Sequence, residues 1–161
     1  MAVDYFLQID GIAGESQDAK HKGAITVLSW SWGESSPAPV VTGGGAGAGK
    51  VTFSDFNFMM PVSKASPALF LACATGQHFK TAKLSVQKAG GKAVDDYLTW
   101  TFSDVLVTSY QASAGGGDDG PTESVSLHTT KAVVSYKPQK ADGSFDTAIA
   151  AGFDVKTNKK V

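Results

Sequence analysis

The stretch ITVLSWSW, Ile25 to Trp32, begins as a half-buried strand and then breaks its own rule. Ile25 and Val27 share a face, as a period of two requires, but the next apolar residues are Leu28, Trp30 and Trp32. The alternation has slipped by one place. Successive side chains of a strand point to opposite faces, so such a slip would turn the apolar set out to water unless the chain bulges or bends. VTFSDFNF, Val51 to Phe58, repeats the pattern with Val51 and Phe53, then Phe56 and Phe58. Bends of this kind let a sheet curl into a barrel, and the expected fold is mainly β, a barrel or a sandwich.

Strand signals continue outward from there. VDYFLQI, Val3 to Ile9, sets Val3, Tyr5, Leu7 and Ile9 on one face. Ala82–Lys88, Tyr97–Tyr110, Glu123–Tyr136 and Gly152–Thr157 read as further strands. Glycine and aspartate mark the turns between them, at Gly90-Gly91, Gly115 to Gly120 and Asp142-Gly143. One short helix is expected alongside, over SPALFLACATG. Ser66 suits the N-cap, Pro67 the first helical position and Gly76 the place just past the end. Leu69, Phe70 and Cys73 would form its buried stripe, with Cys73 as a small packed hydrophobe. No repeat or linker divides the chain, so residues 1–161 read as one domain.

Composition excludes several classes of function. Hydrophobic residues make up 42% of the chain, enough for a real core and against general disorder. The net charge is -1, which gives no electrostatic ground for nucleic acid or an anionic membrane. All 14 basic residues are lysine, so the bidentate fork that recognises phosphate or guanine is missing. Cys73 is the single cysteine, which rules out an internal disulfide and a cysteine metal cluster. No apolar run has the length of a membrane span. MAVDYFLQIDG, with Asp4 early and no long apolar segment, is not expected to act as a secretory signal. The chain is expected to fold in the cytoplasm, and any exit would use a route that needs no such signal.

TGGGAGAGKV, Thr42 to Val51, tests the nucleotide-binding reading. From Gly44 it fits G-x-x-x-x-G-K, yet Val51 stands where a phosphate loop needs a hydroxyl for Mg²⁺. A strand pattern follows in place of the helix whose N-terminus would face the phosphate. The run reads as a flexible connection between two strands. His21, His78 and His128 share no metal-ligand spacing. Asp18 and His21 suit a local hydrogen bond, His78 the carbonyls at the helix end, and His128 a solvated strand face. The Asp95-Asp96 and Asp118-Asp119 pairs suit turns. No nucleophile elbow supports a catalytic triad. The chain is read as a non-enzyme with no cofactor and no metal.

In LSWSWG, Leu28 to Gly33, the tryptophans at 30 and 32 share one face and are expected to anchor a core or an interface. Ser29 and Ser31 share the other. That small polar face is either an ordinary solvated strand surface or the wall of something that must stay smooth, such as a channel.

MAVDYFLQIDGIAGESQDAKH followed by ITVLSWSWG resembles the start of Hcp, the haemolysin-coregulated protein family of type VI secretion inner tubes. The likeness runs on through GGGAGAGKV, KASPALFLACATGQH, AKLSVQKAG, DVLVTSY, TESVSL and YKPQKADG, and is weakest from Ser144 to Val161. Each piece alone is weak, whereas the ordered combination is specific. The resemblance implies a single-domain β-barrel of two curved sheets with one short helix alongside, similar to phage tail-tube proteins, and six copies in a ring around a wide channel. It implies rings stacked inside a contractile sheath with a VgrG-type spike at the tip. Contraction would expel the tube from a Gram-negative cell with effector proteins in its lumen. Ser29 and Ser31 would then face the lumen and cargo. Gly43, Gly44, Gly45, Ala46, Gly47, Ala48, Gly49 and Lys50 would form a loop reaching the adjacent ring. Two rivals remain at this point. One is a β-sandwich module that binds a small ligand or carbohydrate. The other is a nucleotide-dependent enzyme resting on Gly44 to Lys50 alone.

Overall fold

The structure, a computed structural model, describes residues 3–37, 50–88, 95–117 and 120–161. Its elements are β1 (Val3–Ile9), β2 (Ile25–Val27), β3 (Ser29–Ser31), β4 (Glu34–Ser35), β5 (Thr52–Phe53), β6 (Phe56–Pro61) and α1 (Ser66–Thr75). After the helix come β7 (His78–Lys88), β8 (Asp96–Ser113), β9 (Thr122–His128), β10 (Lys131–Tyr136), β11 (Ile149–Asp154) and β12 (Lys159–Lys160).

The slip at Leu28 is where the strand changes partners. β2 pairs with β1, whereas β3, one residue later, pairs with β6. At the corner the Leu28 N–H donates to the carbonyl of Met59 at 2.8 Å. The slip at Ser54-Asp55 separates β5, which pairs with β4, from β6. A third corner lies inside β8. Its first half pairs with β7 and β10, and its second half with β9. Asp104, with φ 55°, lies at the change. The first sheet runs β12-β11-β10-β8-β7-β1-β2 and the second runs β8-β9-β6-β3, every pairing antiparallel. The two share β8, and the chain crosses between them again at Leu28, where no ladder joins β2 to β3 or β6 among the described residues.

The core between the sheets is aromatic at its centre. Phe56 is fully buried, with ring centroids at 4.9 Å from Phe102, 5.9 Å from Phe58 and 6.1 Å from Trp30. Trp32 contacts Phe53, Trp100 and Phe102. Both tryptophans are therefore the expected anchors. Leu28, grouped with them by periodicity, is half exposed because it occupies the corner itself.

Strand limits differ from those expected where a pattern hides a break. Glu123–Tyr136 is two strands interrupted at Thr129-Thr130, with the Thr129 hydroxyl donating to the carbonyls of Ser103 and Lys131 at 2.7 and 3.0 Å. The helix ends as expected: Gly76 takes the left-handed conformation with φ 69° and its N–H reaches Ala72 O at 3.0 Å. Its start is corrected. Ser66 lies inside the helix and Ala65 takes the cap position. The exchange has moved one turn back, with Ser63 N–H donating to Ser66 Oγ and Ala65 N–H donating to Ser63 Oγ. The buried stripe is also corrected. Ser66, Leu69 and Ala72 face the core, while Phe70 stands exposed and meets the Tyr110 ring edge-on.

Gly14 is required by a close approach. A Cβ there would lie 2.3 Å from Ala24 O, in the segment that returns from β1 to β2. That segment is tied to the mouth of β8: His21 Nε2 lies 2.7 Å from Asp96 Oδ1, and Lys20 reaches Asp95 at 3.6 Å. Lys137, at 2.7 Å from Asp95, holds that carboxyl below the usual carboxylate range. Asp95 and Asp96 thus clamp a loop, beyond the turn role expected of them. Asp118-Asp119 lies outside the described residues.

Candidate functional site

Ser29 and Ser31 stand exposed on β3, opposite the half-buried Trp30. The register carries their face across the second sheet. Ser31, Asn57, Ser126 and Ser109 form one transverse row over β3, β6, β9 and β8. Ser29, Met59, Ser124 and Gln111 form the next. The row between them, Trp30, Phe58, Val125 and Tyr110, points the other way into the core. Alternation thus gives the sheet one aromatic face and one face of hydroxyls, amides and a thioether. Neither polar row holds a charged side chain.

Charge begins at the margin. Asp55 Oδ1 lies 3.3 Å from His128 Nδ1, and Asp55 Oδ2 accepts from the Thr108 hydroxyl at 2.7 Å. Within the face, the Ser126 hydroxyl donates to Asn57 Oδ1, tying β9 to β6 along the wall. Beneath it Glu123 is buried, and its Oε1 accepts from the Tyr110 hydroxyl at 2.5 Å. Burial, and then this bond to a carboxylate, push the Tyr110 phenol up to about 12.

The other residues singled out by the sequence lie apart from this face. Gly43 to Gly49 fall outside the described residues, and Lys50 is exposed beside β5. The strands flanking the glycine run, β4 and β5, pair with each other, so the run joins antiparallel partners and leads into a strand, not a helix. The histidines are also dispersed. The His21 N–H donates to Asp18 Oδ2 at 3.1 Å, the local bond expected. His78, expected at the helix carbonyls, has Nδ1 at 3.2 Å from Asp104 at the β8 corner. His128 is exposed, as expected. Among the described residues no three His, Cys, Asp or Glu side chains gather as a metal site would need. What the sequence reading missed is the width of the polar face. Asn57, Ser124, Ser126, Ser109 and Gln111 reach it through register, though Ser124-x-Ser126 repeats the Ser29-x-Ser31 pattern.

A barrel of two sheets sharing one kinked strand, with an uncharged polar face on the second, matches known proteins along its length. The family model for "Type VI secretion system effector, Hcp" matches residues 6–136. The chain belongs to the Hcp family. It is 43% identical to Protein hcp1 of Pseudomonas aeruginosa over 159 residues, covering 98% of each chain. Among solved structures, the Hcp1 protein of Salmonella typhimurium is 36% identical with a TM-score of 0.78, covering 99% of this chain and 100% of that one. A structure described as a type six secretion system protein superposes with a TM-score of 0.92 at 32% identity, again over 99% and 100%. The Hcp family match covers the chain through the end of β10, and these two solved structures extend the likeness over β11 and β12.

Proposed function

We propose that the chain is a structural subunit of a type VI secretion tube. Six copies form a ring around an open channel, rings stack into a conduit, and contraction of a surrounding sheath expels it. The observation that carries this reading is the pair of uncharged polar rows on the second sheet. A conduit wall must hold cargo weakly and let it slide. Serines, Asn57, Gln111 and Met59 offer short-range hydrogen bonds to water and no fixed charge. Ser29 and Ser31 are the lumen-facing residues nearest the Leu28 corner.

The role is structural and non-catalytic, and residues 1–161 serve as one tube domain. Partners are further copies of the chain, the contractile sheath, a VgrG-type spike and effector proteins in the lumen. Residues 43 to 50 are assigned to contact between stacked rings, as part of the link between the paired strands β4 and β5. The tube assembles inside the cell and leaves it on firing. No helix among the described residues is long and apolar enough to cross a membrane.

Light scattering on the size-exclusion peak, with negative-stain images of the same fraction, tests the reading. A mass of six subunits and particles with an open centre are expected. A monomer at every concentration, with no rings in any image, would refute it.

A further inference from the structure

The polar face of the second sheet carries one apolar side chain. Across its two transverse rows Met59 alone is apolar, and it is 40% exposed. The row beyond, Pro61, Thr122 and Ser113, is uncharged as well. Around Met59 lies a hollow of about 240 Å³, lined by Ser29, Ser31, Asn57 and Ser124. Trp30 and Phe58 lie between the rows and turn their rings into the core. Asn57 is already engaged: its amide N–H donates to the Asp55 carbonyl at 3.2 Å, and its oxygen accepts from Ser126. Among the described residues the hydroxyls of Ser29, Ser31 and Ser124 have no partner.

Charge is held off this hollow on each side. Asp55 stands four positions from Met59 along β6, about 13 Å at the rise of a strand, and is met by His128. That distance exceeds the screening length of about 8 Å at physiological salt. Glu34 lies past Gly33, on β4. At the other end Glu15 shares a separate hollow with Pro61 and Val62, and Lys64 follows. Glu123, beside Ser124, is buried and bonds to Tyr110. A charged group brought into the hollow would give up hydration and meet no opposite charge, which is costly. An uncharged polar group would exchange water for hydroxyls with little net gain. An apolar side chain would cover the Met59 thioether and release water. Methionine is unbranched and polarisable, so one seat fits side chains of several shapes.

We propose that the hollow seats one apolar side chain of a cargo protein, gripped by Met59, while the hydroxyls of Ser29, Ser31 and Ser124 take the peptide groups on either side of it. A hydroxyl both donates and accepts, so it serves a peptide N–H or a peptide carbonyl equally. The inference rests on the lumenal reading above and adds the chemistry of what the wall holds. A single seat binds weakly. Repeated around a ring, such seats add through avidity, so a cargo is retained as a whole while each contact lets go easily. Salt leaves the grip unchanged, because no charge takes part.

The test uses the full chain labelled with carbon-13 at its methionine methyl groups. Only Met1, Met59 and Met60 then give signals, and Met60, fully buried beside Met59, is the internal reference. The probes are the blocked amino acids acetyl-leucine amide, acetyl-lysine amide and acetyl-glutamate amide. The leucine probe is expected to shift the Met59 signal saturably and leave Met60 in place, alike at low salt and in about 1 M NaCl. The two charged probes are expected to leave Met59 unmoved. Ser124→Lys sets a charge directly opposite Met59 in the register and is expected to admit the glutamate probe, with the Met60 signal reporting that the variant is folded. No shift with the leucine probe, or equal shifts with all three, overturns the seat. So does a folded Ser124→Lys that treats the glutamate probe as wild type does. A label at position 31 separates this outcome from the lumenal reading. A label inside the ring opening with no leucine shift overturns the seat alone. A label outside the opening with the leucine shift intact overturns the lumenal reading, and the cargo role of the seat with it.

Discussion

Phe56→Ala should be among the costliest single truncations in the subunit, and Phe70→Ala among the mildest for a residue of the same size. Phe56 is 0% exposed and joins both sheets, touching Trp30 and Phe58 on one and Phe102 on the other. Truncating a buried phenylalanine loses its transfer free energy and leaves a cavity, about 3–5 kcal/mol together. The strands around Phe56 are fixed by ladders on both sides, so little collapse into the cavity is expected and about 4 kcal/mol is the working figure. Phe70 is 59% exposed with one edge contact to Tyr110, which supports a loss of only about 0.5–1 kcal/mol. Urea unfolding at one fixed protein concentration reads the difference. With a slope of about 2 kcal/mol per molar, the midpoint should fall by about 2 M for Phe56→Ala and by under about 0.5 M for Phe70→Ala. Equal losses for the two, or a loss under about 1 kcal/mol at Phe56, would refute the placement of the core between the two sheets.

Gly14→Ala should destabilise by about 1–3 kcal/mol, because its Cβ would meet backbone at Ala24 and the segment over β1 must shift; an unchanged thermal midpoint would contradict that contact. Stability should also fall at high pH. The Tyr110 phenol ionises near 10 in the unfolded chain and near 12 in the fold, so its contribution is whole below pH 10 and is lost as pH rises to 12. Because the ring is only partly buried, about 1–2 kcal/mol is expected from it, read as the extra loss of wild type over Tyr110→Phe across that window. Deleting residues 43 to 50 should leave rings intact and abolish tubes, as seen by negative stain; tubes of normal length would remove the stacking role. Ser31→Gln should weaken cargo loading without changing ring mass, and unchanged loading by a well-formed ring would count against a lumenal Ser31.

The corners of the fold were legible wherever an apolar alternation visibly changed phase. Leu28 and Ser54-Asp55 announced themselves in this way. The same signal was present at Trp100 and Phe102 against Val105 and Val107, yet an unbroken run of strand-forming residues from Tyr97 to Tyr110 concealed the corner. A corner that keeps hydrogen bonds on both sides needs no turn residue, only Asp104 at positive φ. The helix misled for a related reason. Periodicity assumes that the largest apolar side chains turn inward, but α1 packs through Leu69 and Ala72 and leaves Phe70 outside. For the candidate site, Ser29 and Ser31 could be read locally because both lie on one three-residue strand. Asn57, Ser124 and Gln111 could not, since their shared face is set by registers between residues far apart in the chain.

The central claim is that the hydroxyl face of the second sheet lines the inside of a ring. Labelling position 31 tests it most directly. Ser31→Cys in a Cys73→Ala background, which leaves a single thiol, would be reacted with a maleimide-gold cluster and imaged as isolated rings viewed end on. The account expects gold density within the central opening. Gold decorating the outer rim of otherwise normal rings would contradict it, and would place the conduit wall on the other sheet.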